Sequence, residues 1–277
     1  MAGPTWHSDT PADAYKITAA GWLRVGLRGL CLGGVVFGGL LILLLVRMIE
    51  RPVCGLGRPV TPYITQTVCR MAFMILGMKR LVRGAPMRER GAVVANHVSW
   101  LDIFALNSVK RFYFVSKSEV ARWPGIGWLA RATGTVFIDR DPKRAKAQTQ
   151  QFQDRLLAGH KLLFFPEGTS TDGQQVLSFK TTLFQAFMTP ELQDKLFIQP
   201  VTLIYHPPLG QAAHFYGWWG DMDFGSHMLK TLAAFPQGSV ELVYHDPVRV
   251  NAYANRKELA ADLEQRVRAG HTPHELR

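Results

Sequence analysis

The sequence has few cysteines and few acidic residues for its length. Its 277 residues include only three cysteines, and none of them forms a C-x-x-C spacing. A disulfide framework and a cysteine-based zinc site are therefore not indicated. The 21 Asp and Glu residues are outnumbered by 32 Lys and Arg residues, which gives a formal net charge of +11. A chain this basic is attracted to anions, so nucleic acid and an acidic membrane surface are both candidate partners.

Several recognisable signatures are also missing. There is no internal repeat, no low-complexity segment and no G-x-S-x-G nucleophile elbow. The basic residues are scattered, and they form no RNA-binding or helix-turn-helix signature. A basic nucleic-acid-binding protein is therefore a remote alternative. A non-catalytic membrane protein is another.

One long stretch lacks charge altogether. Gly29 to Val46 contains no charged residue, and as a helix it would extend about 27 Å, close to the thickness of a bilayer core. Arg47 to Arg51 follows where a signal peptide would need small residues, so the stretch is interpreted as a retained anchor. Basic residues flank it on both sides, and the positive-inside rule gives no orientation. A hairpin that enters one leaflet and returns is an open alternative.

The segment after the anchor predicts a break and then a second helix. Pro52 to Pro62 holds three prolines and two glycines, which favours irregular structure. Ile64 to Leu81 then combines spaced apolar residues with arginines and a lysine, as a basic amphipathic helix would. Such a helix would lie on an anionic membrane or face the core of the following domain, and the pattern favours neither.

From Gly91 onward, strand-like and helix-like segments alternate. Alternation of this kind predicts an α/β domain with a central, mostly parallel sheet flanked by helices, preceded by the N-terminal membrane-anchoring helical segment. We expect a tail, anchor and amphipathic helix over 1–86, the α/β domain over 87–255, and a C-terminal amphipathic helix and tail over 256–277. The predicted strands are Val93–Val94, Phe112–Val115, Thr135–Ile138, Lys161–Phe165, Ile198–Ile204 and Val240–Tyr244; the predicted helices are Lys143–Leu157, Thr181–Met188 and Arg256–Arg268.

Polar groups follow four of the predicted strands or interrupt them. His97 and Asp102 are five positions apart, too far around a regular helix to meet, so their pairing requires an irregular turn. Arg140 follows a strand end and suits either a surface ion pair or a phosphate. Glu167 begins an E-G-T-S run that could bind a ligand or cap a helix. Pro200 inside a strand-like run indicates an edge or a bulge.

Taken together, these segments resemble the glycerolipid acyltransferase family, which includes 1-acylglycerol-3-phosphate acyltransferases. The motifs are N-H-x-S-W-x-D, F-I-D-R, F-P-E-G-T and a strand with proline, between Gly91 and Val201. The resemblance implies that His97 and Asp102 are the catalytic pair. It also implies acceptor-binding residues and one residue on the acyl side of the site, which are Arg140, Glu167, Gly168, Thr169 and Lys117 for the acceptor and Pro200 for the acyl chain.

The implied reaction is acyl transfer from a thioester to the free hydroxyl of a lysophospholipid. An alcohol is a poor nucleophile, so His97 would remove its proton while Asp102 orients the imidazole. A covalent Ser99 is disfavoured by its two-residue spacing from His97. The preferred acceptor is 1-acylglycerol-3-phosphate, and lyso-ornithine lipid is the alternative, because acyltransferases for it also resemble this family.

The resemblance further implies an inner-membrane protein with its catalytic domain at the cytosolic face. Its partners would be membrane lipids and either acyl-coenzyme A or acyl carrier protein as co-substrate, with no cofactor. No metal site is predicted, because the polar residues from His214 to His227 lie among aromatic residues that suit core packing or a membrane-interface belt.

Overall fold

The computed structural model describes residues 5–8, 15–139 and 145–271. It is an α/β structure built around one eight-stranded sheet. The helices are α1 (Ala19–Cys54), α2 (Thr61–Leu76), α3 (Leu101–Val109), α4 (Ile126–Thr133), α5 (Ala145–Leu157), α6 (Phe224–Ala233) and α7 (Arg256–His271). The strands are β1 (Lys79–Arg83), β2 (Gly91–Ala95), β3 (Tyr113–Lys117), β4 (Val136–Ile138), β5 (Leu162–Phe164), β6 (Phe197–His206), β7 (Ser239–Tyr244) and β8 (Val248–Arg249).

The sheet is mostly parallel, as predicted. Its order is β1-β7-β6-β2-β5-β3-β4, and β8 pairs beside β6. Strands β6, β2, β5, β3 and β4 run parallel to one another, whereas β7 and β8 are antiparallel to β6. Because the parallel strands share one direction, the loops after β2, β3, β4 and β5 emerge at one edge of the sheet.

Helices cover the sheet on both faces. Along β2, Ala92 and Val94 pack with residues of α5 and α7, and Val93 and Ala95 pack with residues of α1, α2, α3 and α6. This alternation is the two-residue period of a strand buried on both sides. The two apolar layers fix β2, and therefore the position at which the chain leaves its carboxyl end.

The long helix α1 contains the predicted anchor. It has 36 residues, and by length and composition it is the one helix in the described chain that could cross a membrane. Its buried residues are Gly21, Leu32, Val36, Leu43 and Glu50, which recur at nearly whole numbers of helical turns and so form one stripe. That stripe packs against α2, α6 and α4, while most of the leucines on the other faces are exposed.

The second helix and the strand after it differ from the prediction. Helix α2 ends at Leu76, where Gly77 adopts the left-handed conformation (φ 72°) that commonly stops a helix. Its buried residues include Cys69, Ala72 and Phe73, so it faces the core. The extension of this helix to Leu81 was wrong, because Lys79–Arg83 is strand β1, paired in parallel with β7.

Two further predictions need correction. Pro52 lies inside α1, so the predicted break begins only at Gly55. The segment predicted as a helix over 181–188 forms a short 3-10 helix, Thr182–Phe187.

All six predicted strands are present, and the predicted C-terminal helix is α7. The predicted helix Lys143–Leu157 matches α5 over Ala145–Leu157, while residues 143 and 144 lie outside the described residues.

Candidate active site

The predicted pair of His97 and Asp102 meets at the carboxyl end of β2. The His97 Nδ1 atom and the Asp102 Oδ2 atom are 2.7 Å apart. Residues 96–99 have no regular structure, and α3 begins at Leu101. This irregular turn is what the spacing required, because it reverses the chain and returns Asp102 to the histidine ring.

The Asp102 carboxylate is completely buried and fully hydrogen-bonded. Its Oδ2 also accepts the backbone N–H groups of Val98 (2.7 Å) and Ser99 (3.1 Å). Its Oδ1 accepts the hydroxyl of Tyr205 at 2.8 Å. A buried carboxylate with these donors stays in one orientation. Because Oδ2 faces the ring, the network favours the His97 tautomer that donates from Nδ1 and leaves Nε2 as a proton acceptor.

The backbone and ring of His97 are fixed from three directions. Its N–H donates to Glu167 Oε1 (2.7 Å), and its carbonyl accepts the N–H of Thr171 (3.0 Å). The ring stacks on Phe165 with centroids 4.0 Å apart and planes 9° from parallel. The side chain is 20% exposed. Among the described residues the hydrogen bond of the His97 ring involves Nδ1, so Nε2 is left available to accept a proton.

Glu167 is a neighbour of His97 and is almost completely buried. Its second oxygen, Oε2, accepts the N–H of Leu177 at 2.8 Å. Burial raises the pKa of Glu167 to about 8, while the two backbone N–H groups oppose that rise. Both carboxylate oxygens are therefore engaged by the loops at this end of the sheet. The predicted contact between Glu167 and the acceptor stays a prediction.

Gly168 and Thr169 lie in the same loop, beside an N-terminal segment. Gly168 has φ 72°, a conformation that side chains other than glycine rarely adopt. The hydroxyl of Thr169 accepts the N–H of Thr5 at 2.9 Å, and Ser8 Oγ donates to Asp172 at 3.0 Å. Residues 5–8 thus lie against the loop that the motifs assign to acceptor binding.

Two of the other predicted residues lie on strands of the sheet. Lys117 is the last residue of β3 and is paired in register with Ile138 of β4. Arg140 lies outside the described residues. Pro200 is buried in β6, opposite Val94.

Pro200 does not mark an edge, because β6 is an interior strand. Its carbonyl accepts the N–H of His245, which follows β7. The proline nitrogen points to that same side of β6, where β7 has ended and β8 pairs only with Phe197 and Ile198. The carbonyl of His245, which an N–H at this position would bond, instead accepts the Nε2–H of Gln199 at 2.8 Å, so the missing N–H leaves no carbonyl unpaired.

Ser99 is placed as a structural residue. It is fully buried, and its hydroxyl accepts the N–H of Leu101 at the start of α3. Among the residues described, no three His, Cys, Asp or Glu side chains gather closely enough to hold a metal ion. His227, one of the polar residues between His214 and His227 considered above, accepts the indole N–H of Trp100 at 3.0 Å.

Two residues of the site were not identified from the sequence. Tyr205 contacts Asp102 across 103 positions, and nothing local to a tyrosine in a strand indicates such a partner. Phe165 belongs to the F-P-E-G-T motif, but its stacking on His97 follows only from the parallel pairing of β2 with β5. The geometry as a whole is that of a general base with an orienting carboxylate.

Comparison with known proteins gives matches over almost the whole chain. The sequence model of the family described as Acyltransferase matches residues 79–204. A lyso-ornithine lipid O-acyltransferase of Rhodobacter capsulatus is 55% identical over 270 residues, covering 98% of each chain. One of Brucella abortus is 36% identical over 226 residues, 78% of this chain and 82% of that protein.

Two further matches concern 1-acylglycerol-3-phosphate acyltransferases. That of Neisseria meningitidis is 41% identical over 106 residues, which is 38% of this chain and 42% of that protein. The crystal structure of the 1-acyl-sn-glycerophosphate acyltransferase PlsC from Thermotoga maritima superposes with a TM-score of 0.65 at 22% identity, covering 91% of this chain and 94% of that one. At that identity the likeness concerns the fold.

Proposed function

This chain belongs to the glycerolipid acyltransferase family, and on that basis we propose that it acylates the free hydroxyl of a lyso-ornithine lipid. The observation that carries the acceptor is the 55% identity, over 98% of both chains, with a protein named as a lyso-ornithine lipid O-acyltransferase. This similarity includes the N-terminal and C-terminal helices, so it covers far more of the chain than the motifs between Gly91 and Val201 do.

The acceptor preferred from the sequence, 1-acylglycerol-3-phosphate, becomes the second candidate. It is favoured by the 41% identity with the Neisseria meningitidis enzyme, but that match covers only 38% of this chain. The two acceptors share a free hydroxyl and an anionic group. They differ in that one carries a phosphate and the other an amino acid, so a direct comparison of rates distinguishes them.

In the proposed mechanism, the Nε2 atom of His97 accepts the proton of the lipid hydroxyl as the hydroxyl oxygen attacks the thioester carbonyl. Asp102 holds the Nδ1–H and balances the charge of the imidazolium that forms. When the tetrahedral intermediate collapses, the C–S bond breaks and the new C–O ester bond remains. The proton on Nε2 passes to the leaving thiolate, which restores the neutral imidazole.

No acyl-enzyme is part of this mechanism. Ser99 is buried and its hydroxyl is engaged by the backbone of α3, so it is poorly placed to attack a thioester. The donor is an acyl thioester of coenzyme A or of acyl carrier protein.

We further propose that the protein is held at the inner membrane with the site at the cytosolic face. The supporting feature is α1, which has exposed leucines on one side and packs against α2, α4 and α6 on the other. The exposed side would enter the lipid, while the packed side keeps the domain at the surface. A lipid acceptor could then reach His97 without leaving the membrane.

The test is an acyl-transfer assay with the purified full-length protein. Lyso-ornithine lipid and 1-acylglycerol-3-phosphate are supplied separately, each with a labelled acyl-coenzyme A or acyl-acyl carrier protein. We expect a higher kcat/KM with lyso-ornithine lipid. His97→Ala should lower the rate by at least about a hundredfold, as loss of a general base does.

The outcomes separate the parts of the proposal. A higher kcat/KM with 1-acylglycerol-3-phosphate would reverse the order of the two acceptors and leave the base mechanism intact. Turnover that His97→Ala does not change would refute the mechanism whichever acceptor is used. His214→Ala is a suitable control, because it removes a half-buried histidine that lies outside the network around Asp102.

A further inference from the structure

Four arginines meet at a cleft between the C-terminal half of α1 and α4. The cleft has a volume of about 570 Å³. Arg47 and Arg51 come from α1, Arg58 from the loop after it, and Arg131 from α4. Arg47 and Arg51 follow the charge-free stretch that ends at Val46, so this side of the cleft lies where an apolar surface gives way to a cationic one.

The cleft is separate from the site around His97. Ala132 lines the cleft near the end of α4, shortly before β4 begins at Val136. This part of the cleft therefore lies at the amino edge of the parallel strands. His97 lies at the opposite, carboxyl edge, after β2. The lining residues include none of those that contact His97 or Asp102, and the acyltransfer mechanism makes no use of the cleft.

Three of the arginines are held by backbone carbonyls. Arg58 donates to the carbonyl of Ala132 at 2.7 Å, and Arg131 donates to the carbonyl of Ala121. Arg47 donates to the carbonyls of residues 55 and 57 at 2.9 and 3.1 Å. A guanidinium group has five N–H donors. These bonds therefore orient the groups while leaving donors for a ligand.

The positive charge of the cleft exceeds the negative charge of the described residues beside it. Glu50 is the adjacent acid, and its carboxylate already binds Arg47 and Thr61. Burial lowers the pKa of Arg58, and the charge of Arg47 lowers it further. Arg155, behind Arg58, has its pKa lowered to about 10 by burial and then by Arg58. Mutual repulsion among partly buried cations favours binding of an anion.

The rest of the lining is apolar and partly exposed. Leu44 is 47% exposed, Leu56 54% and Trp128 61%, and Leu40 completes this wall. A soluble anion would gain nothing from such a surface. An amphiphile would gain from both parts, because its headgroup meets the arginines while its hydrocarbon chain covers the leucines and the indole ring.

We propose that the cleft binds one anionic phospholipid of the surrounding membrane. Its phosphate interacts with Arg51, Arg58 and Arg131, and one acyl chain lies along Leu40 and Leu44. The bound lipid is neither the acyl acceptor nor the donor, and the proposal holds whichever lysolipid is acylated. Its physical effect is to fix α1 against α4 at the level of the lipid headgroups.

The experiment measures lipid binding to the full-length protein in a neutral detergent by native mass spectrometry. Phosphatidylglycerol is the anionic probe and phosphatidylcholine the zwitterionic one, matched in chain length. We expect one phosphatidylglycerol per chain, bound in clear preference to phosphatidylcholine. Coenzyme A is added as a competitor in a separate titration.

A double variant tests the position of the site. Arg51→Gln with Arg131→Gln should weaken binding of phosphatidylglycerol by about 25-fold, because each arginine near an anionic lipid contributes about fivefold. Arg88→Gln with Arg90→Gln removes the same charge from exposed positions elsewhere and should change binding by less than about twofold. Arg51→Gln alone should weaken binding about fivefold with an unchanged melting temperature, since within the described chain this side chain makes no hydrogen bond.

Three results would overturn the proposal. Equal weakening in both double variants would show diffuse charge attraction without a site. Binding of phosphatidylcholine as strong as that of phosphatidylglycerol would show that the arginines do not select an anionic headgroup. Displacement of phosphatidylglycerol by coenzyme A would assign the cleft to the acyl donor.

Discussion

Replacing Asp102 by asparagine removes a charge and leaves the hydrogen-bond geometry almost unchanged. If the amide oxygen takes the place of Oδ2, it still accepts from His97, Val98 and Ser99. The amide nitrogen then faces the hydroxyl of Tyr205, which can rotate to accept from it. The variant therefore isolates the contribution of the negative charge to the stabilisation of the imidazolium.

The size of that contribution follows from the contact. With Nδ1 and Oδ2 at 2.7 Å, the two charge centres are about 4 Å apart, which at an effective dielectric constant of about 20 corresponds to about 4 kcal/mol. Because His97 is 20% exposed, solvent screening reduces this to roughly 2–4 kcal/mol. We therefore expect Asp102→Asn to lower kcat by about 30-fold to 1,000-fold.

The assay is the initial rate of acyl transfer in mixed micelles, with kcat and KM determined separately and the fold checked by circular dichroism. Tyr205→Phe is the matched control, because it keeps the charge and removes only the hydrogen bond to Oδ1. Its loss of kcat should be smaller than that of Asp102→Asn. A folded Asp102→Asn enzyme with kcat within about fivefold of the unchanged protein would show that the charge is not used.

Three further predictions concern single residues. Ser99→Ala should retain at least about a third of kcat, because the buried hydroxyl only accepts a backbone N–H, and a loss above a hundredfold would instead support a covalent role. Gly168→Ala should lower the free energy of unfolding by about 1–3 kcal/mol, because φ is 72° there, and denaturant titration would contradict this if the midpoint did not move. Burial lowers the pKa of His227 to about 3, so it contributes stability that is full above pH 6.5 and lost as pH falls towards 3. As pH falls from 7.5 to 5.5, the free energy of unfolding of His227→Gln should therefore rise by about 1.4 kcal/mol relative to that of the unchanged protein. Thermal melts in which both proteins shift equally over this range would refute the role given to His227.

The parts of the fold predicted from the sequence are those where burial produces a simple pattern of apolar residues. Strands β2, β5 and β6 are nearly continuous apolar runs because helices cover both of their faces. The opposite case is β1, whose sequence is Lys-Arg-Leu-Val-Arg and whose residues are mostly exposed. An edge strand of this kind carries charges that resemble a helical surface, and only its pairing with β7 defines it.

The site was predictable where its residues are close in sequence. The turn that joins His97 to Asp102 follows from a five-residue spacing that a regular helix could not accommodate. The contacts of Tyr205 with Asp102 and of Glu167 with the His97 backbone depend on strand order. Strand order is a global property, because it is set by how helices on both faces pack together, and no local pattern encodes it.

The N-terminal segment has a practical consequence for how the enzyme is produced. Thr5 donates its N–H to Thr169, and Gly220 donates to the carbonyl of Trp6, so these residues touch the loop beside the histidine. An affinity tag joined ahead of Thr5 would start within a few residues of that loop. Tagging at the other terminus, or proteolytic removal of an N-terminal tag before kinetic measurements, keeps the fusion partner away from the loop beside His97.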